Sequence, residues 1–135
     1  KVETANGKVY ARGITGEDLD IETFNGAIYV DGSVEEIEAE SVNGPIAITT
    51  THPQARSIEA ESFAGAVEIY LPKEASTSGK LQTNVGKLTV DVLNATVEEV
   101  QDSLFETEVQ FEVEGSSSRR LQVKAKTNAG TITVK

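Results

Sequence analysis

Apolar and polar residues alternate with a period of two along most of this chain, and glycine breaks the alternation at regular intervals. Aligned on that glycine, six segments fall into register: VETANGKVYA (2–11), IETFNGAIYV (21–30), AESVNGPIAI (39–48), AESFAGAVEI (60–69), LQTNVGKLTV (81–90) and AKTNAGTITV (125–134). Gly7, Gly26, Gly44, Gly65, Gly86 and Gly130 are spaced by 19, 18, 21, 21 and 44 residues. The last gap is about twice the others, so a variant repeat or an insertion is expected between 91 and 124.

Each column carries physical meaning. Two and four residues after the glycine stand aliphatic side chains, as in Ile28 and Val30 or Ile46 and Ile48, which is one buried face of a strand. Three residues before it the side chain is always hydroxylated: Thr4, Thr23, Ser41, Ser62, Thr83 and Thr127. Such a column can hydrogen-bond along a stack or to turn backbone. Four before it stand Glu3, Glu22, Glu40 and Glu61, then Gln82 and Lys126, read as facing solvent. Asn6, Asn25 and Asn43 precede the first three glycines, and the glycine itself supplies a sharp corner. A looser turn comes next in GITGEDL (13–19), DGSVEEI (31–37) and THPQARSI (51–58).

Two all-β architectures fit. Asn-Gly between alternating strands is a hairpin signal, so an antiparallel sandwich of hairpins is one. The other is a β-solenoid of 18–21-residue coils, in which like positions stack on one another. Column identity favours the solenoid, because in a meander copies of a column would lie two strands apart. The chain therefore reads as a single domain over 1–135, with coils around the six segments. FETEVQFEVEG (105–115) reads as a strand with Val109, Phe111 and Val113 on one face, within a hairpin arm or irregular coil over 91–120. A short helix over 95–103 is the remaining expectation. The motif begins at residue 2 and the last strand ends at Lys135 without a polar cap, so self-association through bare coil ends into an oligomer or filament is expected. The first residue is Lys1 rather than Met, which reads as a processed or excised chain.

The recurring [IVA]-E-[TS]-x-N-G-x-[IV]-x-[VI] pattern resembles the bacterial and archaeal β-strand-repeat domains of the adhesin-like kind, described also as heads of autotransporter adhesins. The resemblance covers 2–90 well and 121–135 moderately. It implies a solenoid-like fold, a surface or envelope location, and an adhesive or scaffolding role with a surface glycan or protein as partner. It brings no catalytic residues.

Composition narrows the chemistry further. A net charge of −10 argues against nucleic acid and anionic membrane surfaces. No cysteine is present, which removes disulfides and thiolate catalysis, and no apolar run approaches the roughly 20 residues of a membrane helix. His52 is the only histidine and lies in a loop, so no Ser-His-Asp triad is expected. Ser116, Ser117 and Ser118 beside Arg119 and Arg120 read as a solvated turn. Calcium is weighed on the glutamate column with Asp18, Asp20 and Asp31, but no calcium-loop motif accompanies them; a solvated acidic face, with no cofactor, is the favoured reading. Tyr10 and Tyr29 share the column three after the glycine and could stack on sugar rings, giving a carbohydrate-binding module as the alternative function. A polysaccharide-acting enzyme is the third. The favoured reading is a non-enzymatic structural or adhesin-like module.

Overall fold

The computed structural model describes residues 2–50, 56–71, 76–92, 95–102, 107–114 and 120–135. His52, Ser116, Ser117, Ser118 and Arg119 lie outside the described residues. Among the described residues, twelve strands form one sheet. They are β1 (Val2–Asn6), β2 (Val9–Asn25), β3 (Ile28–Asn43), β4 (Ile46–Thr50), β5 (Ser57–Ala64), β6 (Val67–Tyr70), β7 (Ser76–Val85), β8 (Leu88–Val90), β9 (Ala95–Asp102), β10 (Thr107–Val113), β11 (Arg120–Ala129) and β12 (Ile132–Val134).

The sheet folds over on itself at the glycines. One wall carries the residues before each glycine and the other carries those after it. Alternation sends Ile21, Ala39, Ala60, Leu81 and Ala125 of the first wall into the same core as Ile28, Val30, Ile46, Ile48, Val67, Ile69, Ile132 and Val134 of the second. Pairing within the coils is parallel and in register column by column: Tyr10 opposes Tyr29, Glu22 opposes Glu40, and Ser41 opposes Ser62. The chain is thus a β-solenoid, and the antiparallel sandwich is set aside. Asn25-Gly26 is no hairpin turn: the Asn25 carbonyl accepts from Gly7 N–H one coil away at 2.8 Å, and the Asn43 carbonyl from Gly26 N–H at 2.9 Å. The ladder runs unbroken through the corner.

Three expectations are corrected. The looser turn of the first two coils does not interrupt the strands, since β2 and β3 stay paired from Val9↔Ile28 to Asn25↔Asn43. The bend is taken up by a bulge between Arg12 and Ile14, where Gly13 has φ +63°. The expected helix over 95–103 is replaced in its described part, Ala95–Asp102, by β9, because cross-strand pairing with β10 outweighs a weak local helical preference. Finally, the last strand is not the bare coil end expected, because the coils do not stack in chain order.

That last point sets the architecture. β11 lies between β5 and β7 and is parallel to both, with Ala125 opposing Ala60 on one side and Leu81 on the other. Likewise β12 lies between β6 and β8. The glycine corners therefore stack as Gly7, Gly26, Gly44, Gly65, Gly130, Gly86. The 44-residue gap is explained by the β9–β10 hairpin: β10 runs antiparallel along the far side of β7, and the chain then returns to fill a slot left between two earlier coils. The C-terminal strand is consequently an interior element and not a bare end. Phe111 of β10 lies over Gly79 of β7, its ring filling the space a Cβ would take.

Glycine at the corner is a steric requirement in all but the first coil. At Gly44, φ is +146° and a Cβ would overlap the carbonyl of Gly26. Gly7, on the outermost coil, shares the unusual backbone (φ +131°) but has nothing within 4 Å of that position. Gly7→Ala is expected to cost about 1–2 kcal/mol from backbone strain alone. Gly44→Ala, which adds a clash with backbone, is expected to cost about 2 kcal/mol more, read as the difference in urea-unfolding free energy.

Candidate functional site

The hydroxyl column lies inside the corner. Ser41 Oγ donates to the Gly26 carbonyl at 3.1 Å and Ser62 Oγ to that of Gly44 at 3.0 Å. Thr127 Oγ1 donates to Gly65 O at 3.1 Å and Thr83 Oγ1 to Gly130 O at 3.2 Å. Each hydroxyl thus ties its coil to the glycine of the coil below, and the sequence of donors repeats the shuffled stacking order. Thr23 is buried with its Oγ1 unpartnered. Thr4 on β1 pairs through its backbone with Thr23 on β2, and its side chain is outside the described set. These residues, with Gly65, Gly86 and Gly130, build the scaffold.

On the outside of the corner, amides form a second ladder. Asn25 Nδ2 donates to Asn6 Oδ1 at 3.0 Å and Asn43 Nδ2 to Asn25 Oδ1 at 2.9 Å. Tyr10 and Tyr29 sit on the outer surface of the other wall and stack with ring centroids 5.1 Å apart and planes 14° from parallel. Each ring therefore spends one face on the other, which leaves a narrower platform for a sugar than two open rings would.

A further surface emerges that the individual motifs did not single out. On the first wall, the residues four and two before each glycine point outward together. Stacking turns them into two parallel rows, about 6.8 Å apart along the strands and repeating about every 4.8 Å across them. In stacking order one row reads Glu3, Glu22, Glu40, Glu61, Lys126, Gln82, and its neighbour Ala5, Phe24, Val42, Phe63, Asn128, Asn84. Together they line a shallow groove of about 900 Å³. Phe24 and Phe63 are 56% and 61% exposed. The apolar row ends at Asn128, whose Oδ1 accepts from Asn84 at 2.7 Å. Phe24 and Phe63 sit beside the corner and face solvent.

The groove has a strained charge balance. Burial, and after it the charges of Glu22, Glu61, Glu38 and Asp20, raise the Glu40 carboxyl above its ordinary value. Elsewhere, Glu108 on β10 is buried despite its place on the polar face of that strand, and Lys80 meets it at 3.1 Å. The hydrogen bond from Lys80 is the main cause that holds its carboxyl below the ordinary value, against the opposing effect of burial. Among the described residues, no group of three or more histidines and carboxylates is placed to hold a metal ion.

The two glutamates give opposite pH signatures. A raised folded-state carboxyl favours folding while protonated, and that contribution disappears as pH rises through its folded value. Glu40→Gln should accordingly raise the unfolding midpoint at about pH 7 and change it little at about pH 3. A lowered carboxyl contributes above its unfolded value and loses the contribution as pH falls through the folded one, so Glu108→Gln should lower the midpoint at about pH 7. Thermal melts of both variants across pH check the pair.

Known proteins resemble this chain in sequence or in fold. A protein from Bacillus subtilis (strain 168), "Uncharacterized protein YvlB", is 29% identical over 104 residues, which is 77% of this chain and 28% of that protein. The chain thus spans little more than a quarter of that relative's length. A crystal structure of a protein from Clostridium sporogenes ATCC 15579, described as "a putative cell adhesion protein", superposes with a TM-score of 0.62 at 10% identity, over 99% of this chain and 92% of that one. That likeness is one of fold. The Toastrack DUF4097 family model matches residues 1–135, and the chain belongs to that family.

Proposed function

We propose that this chain is a non-enzymatic binding module of the cell surface or envelope, and that it holds its partner on the grooved face of the first wall. The observation that carries the reading is the pairing of rows on that face. Three large apolar side chains, Phe24, Val42 and Phe63, stand exposed on adjacent strands beside Glu22, Glu40 and Glu61. Contiguous exposed apolar surface rimmed by polar groups is characteristic of interaction sites. Rigid parallel strands hold it in place, as a preorganised binding surface requires.

Several strands of support converge on a binding role. Neither the family nor the proteins compared carry the name of an enzyme. The Clostridium sporogenes protein of the same fold is described in terms of cell adhesion, which accords with a surface location. No helix among the described residues is long and apolar enough to cross a membrane. Self-association is a second reading, since among the described residues β1 pairs with β2. Strand addition at that edge would extend the stack.

Arrays of peptides and of glycans, probed with the labelled domain, test the proposal. Binding that Phe63→Ser abolishes and Tyr29→Ser leaves intact is the expected result. Binding lost with Tyr29→Ser and kept with Phe63→Ser would move the site to the tyrosine ladder and favour carbohydrate. Chemical turnover of a bound element would contradict the non-enzymatic reading.

A further inference from the structure

The groove's dimensions and charge specify the kind of partner it takes, provided that this face is the binding surface proposed above. We infer that its occupant is a cationic amphipathic α-helix of another protein, about three turns long, lying across the strands with its apolar side on Phe24, Val42 and Phe63 and its Lys or Arg side chains over Glu22, Glu40 and Glu61.

Spacing decides between helix and strand. The apolar row crosses the strands, so Phe24 and Phe63 are two strand separations apart, about 9.6 Å. Two turns of helix cover about 10.8 Å, a mismatch of about 1 Å. Two same-face repeats of an extended strand cover about 13.6 Å, a mismatch of about 4 Å. A helix laid along the row keeps its i, i+3/i+4 and i+7 side chains close to successive strands; a strand loses register after one. The row's ends fix the length. From Ala5 to Phe63 is three separations, about 14 Å or close to three turns. Beyond Phe63, Asn128 and Asn84 satisfy each other and offer no apolar contact.

Charge decides the partner's sign. The domain carries −10 overall, and the acidic row runs through four consecutive coils before Lys126 reverses it. A second copy of this chain would bring four glutamates against four and be repelled. An anionic lipid surface or nucleic acid fails for the same reason. A Lys or Arg stem lies along apolar surface while its head reaches outward, so it can span the roughly 6.8 Å from the apolar row to the acidic one. The raised Glu40 carboxyl agrees, since a cation placed there would relieve the crowding by Glu22 and Glu61.

The test titrates the full chain with an end-blocked peptide of Leu and Lys at helical spacing, about 14 residues long. One control has the same composition in strict alternation, and the other carries Glu in place of Lys. Backbone amide shifts report both place and affinity. The helical cationic peptide is expected to bind about tenfold tighter than the alternating one and to shift the amides of β2, β3 and β5 around the two rows. Phe63→Ser, Phe24→Ser and the double change Glu40→Gln with Glu61→Gln should each weaken it severalfold, while Asp31→Asn on the other wall leaves it unchanged. Equal binding of the alternating peptide, or an equal loss with Asp31→Asn, would show diffuse attraction to an acidic protein and overturn the inference. Shifts on this face produced instead by the Glu peptide would overturn the partner's charge while leaving the face standing. Shifts confined elsewhere, or none, would remove the face itself.

Discussion

Everything in this structure hangs on how closely the backbones approach at the glycine corner. From the second coil upward, no Cβ fits between one corner and the carbonyl of the corner beneath it. That closeness lets the amide ladder continue around the bend, so both walls share one hydrogen-bond register. It also brings a buried Ser or Thr within reach of the neighbouring glycine carbonyl, satisfying a hydroxyl that would otherwise be costly inside an aliphatic core. With the corner fixed, side-chain direction comes from the pleat. Aliphatic columns meet between the walls, and the glutamate and phenylalanine columns are forced into rows on the outside. The face proposed for binding is in this sense a by-product of the scaffold's regularity.

The one departure from regularity is topological. The last coil enters the stack between two coils made earlier, so Leu121, Val123, Ala125, Ile132 and Val134 reach their core positions only when the chain has returned from the β9–β10 hairpin. Until then β5 and β7 lack their shared neighbour. A slot of this kind demands contacts of long sequence separation, which slows folding relative to a solenoid that zips from one end. It also places the C-terminal strand in the interior of the stack, where both edges of β12 are paired.

Much of this was legible in the residues. Glycine spacing marked the coils, period two marked the inward columns, and the unbroken hydroxyl column marked the corner. The Val109–Phe111–Val113 strand was visible as well. Stacking order was not legible, for a physical reason: coils with the same column chemistry fit any slot, so a periodic pattern is unchanged when two coils trade places. The only sign was the gap of 44 residues, which announces an excursion without saying where the chain re-enters. The groove was missed differently. Glu22 and Phe24 each belong to an ordinary solvent-facing position in one strand, and only stacking four such strands makes a surface. Reading columns two apart as paired rows would have found it. The continuity of β2 and β3 through the second bend was hidden because Gly13 and Gly16 look like turn residues, whereas a bulge absorbs the bend within the ladder.

The coil ending in Gly130 separates those ending in Gly65 and Gly86, and for that reason the acidic and apolar rows stop where they do. Cross-strand nuclear Overhauser contacts measure this order without perturbing the protein. Contacts are expected from the backbone of Ala125 to both Ala60 and Leu81, and none directly between Ala60 and Leu81. Direct contacts between Ala60 and Leu81, with Ala125 at an outer edge, would mean that the coils stack in chain order and would contradict the shuffled stack.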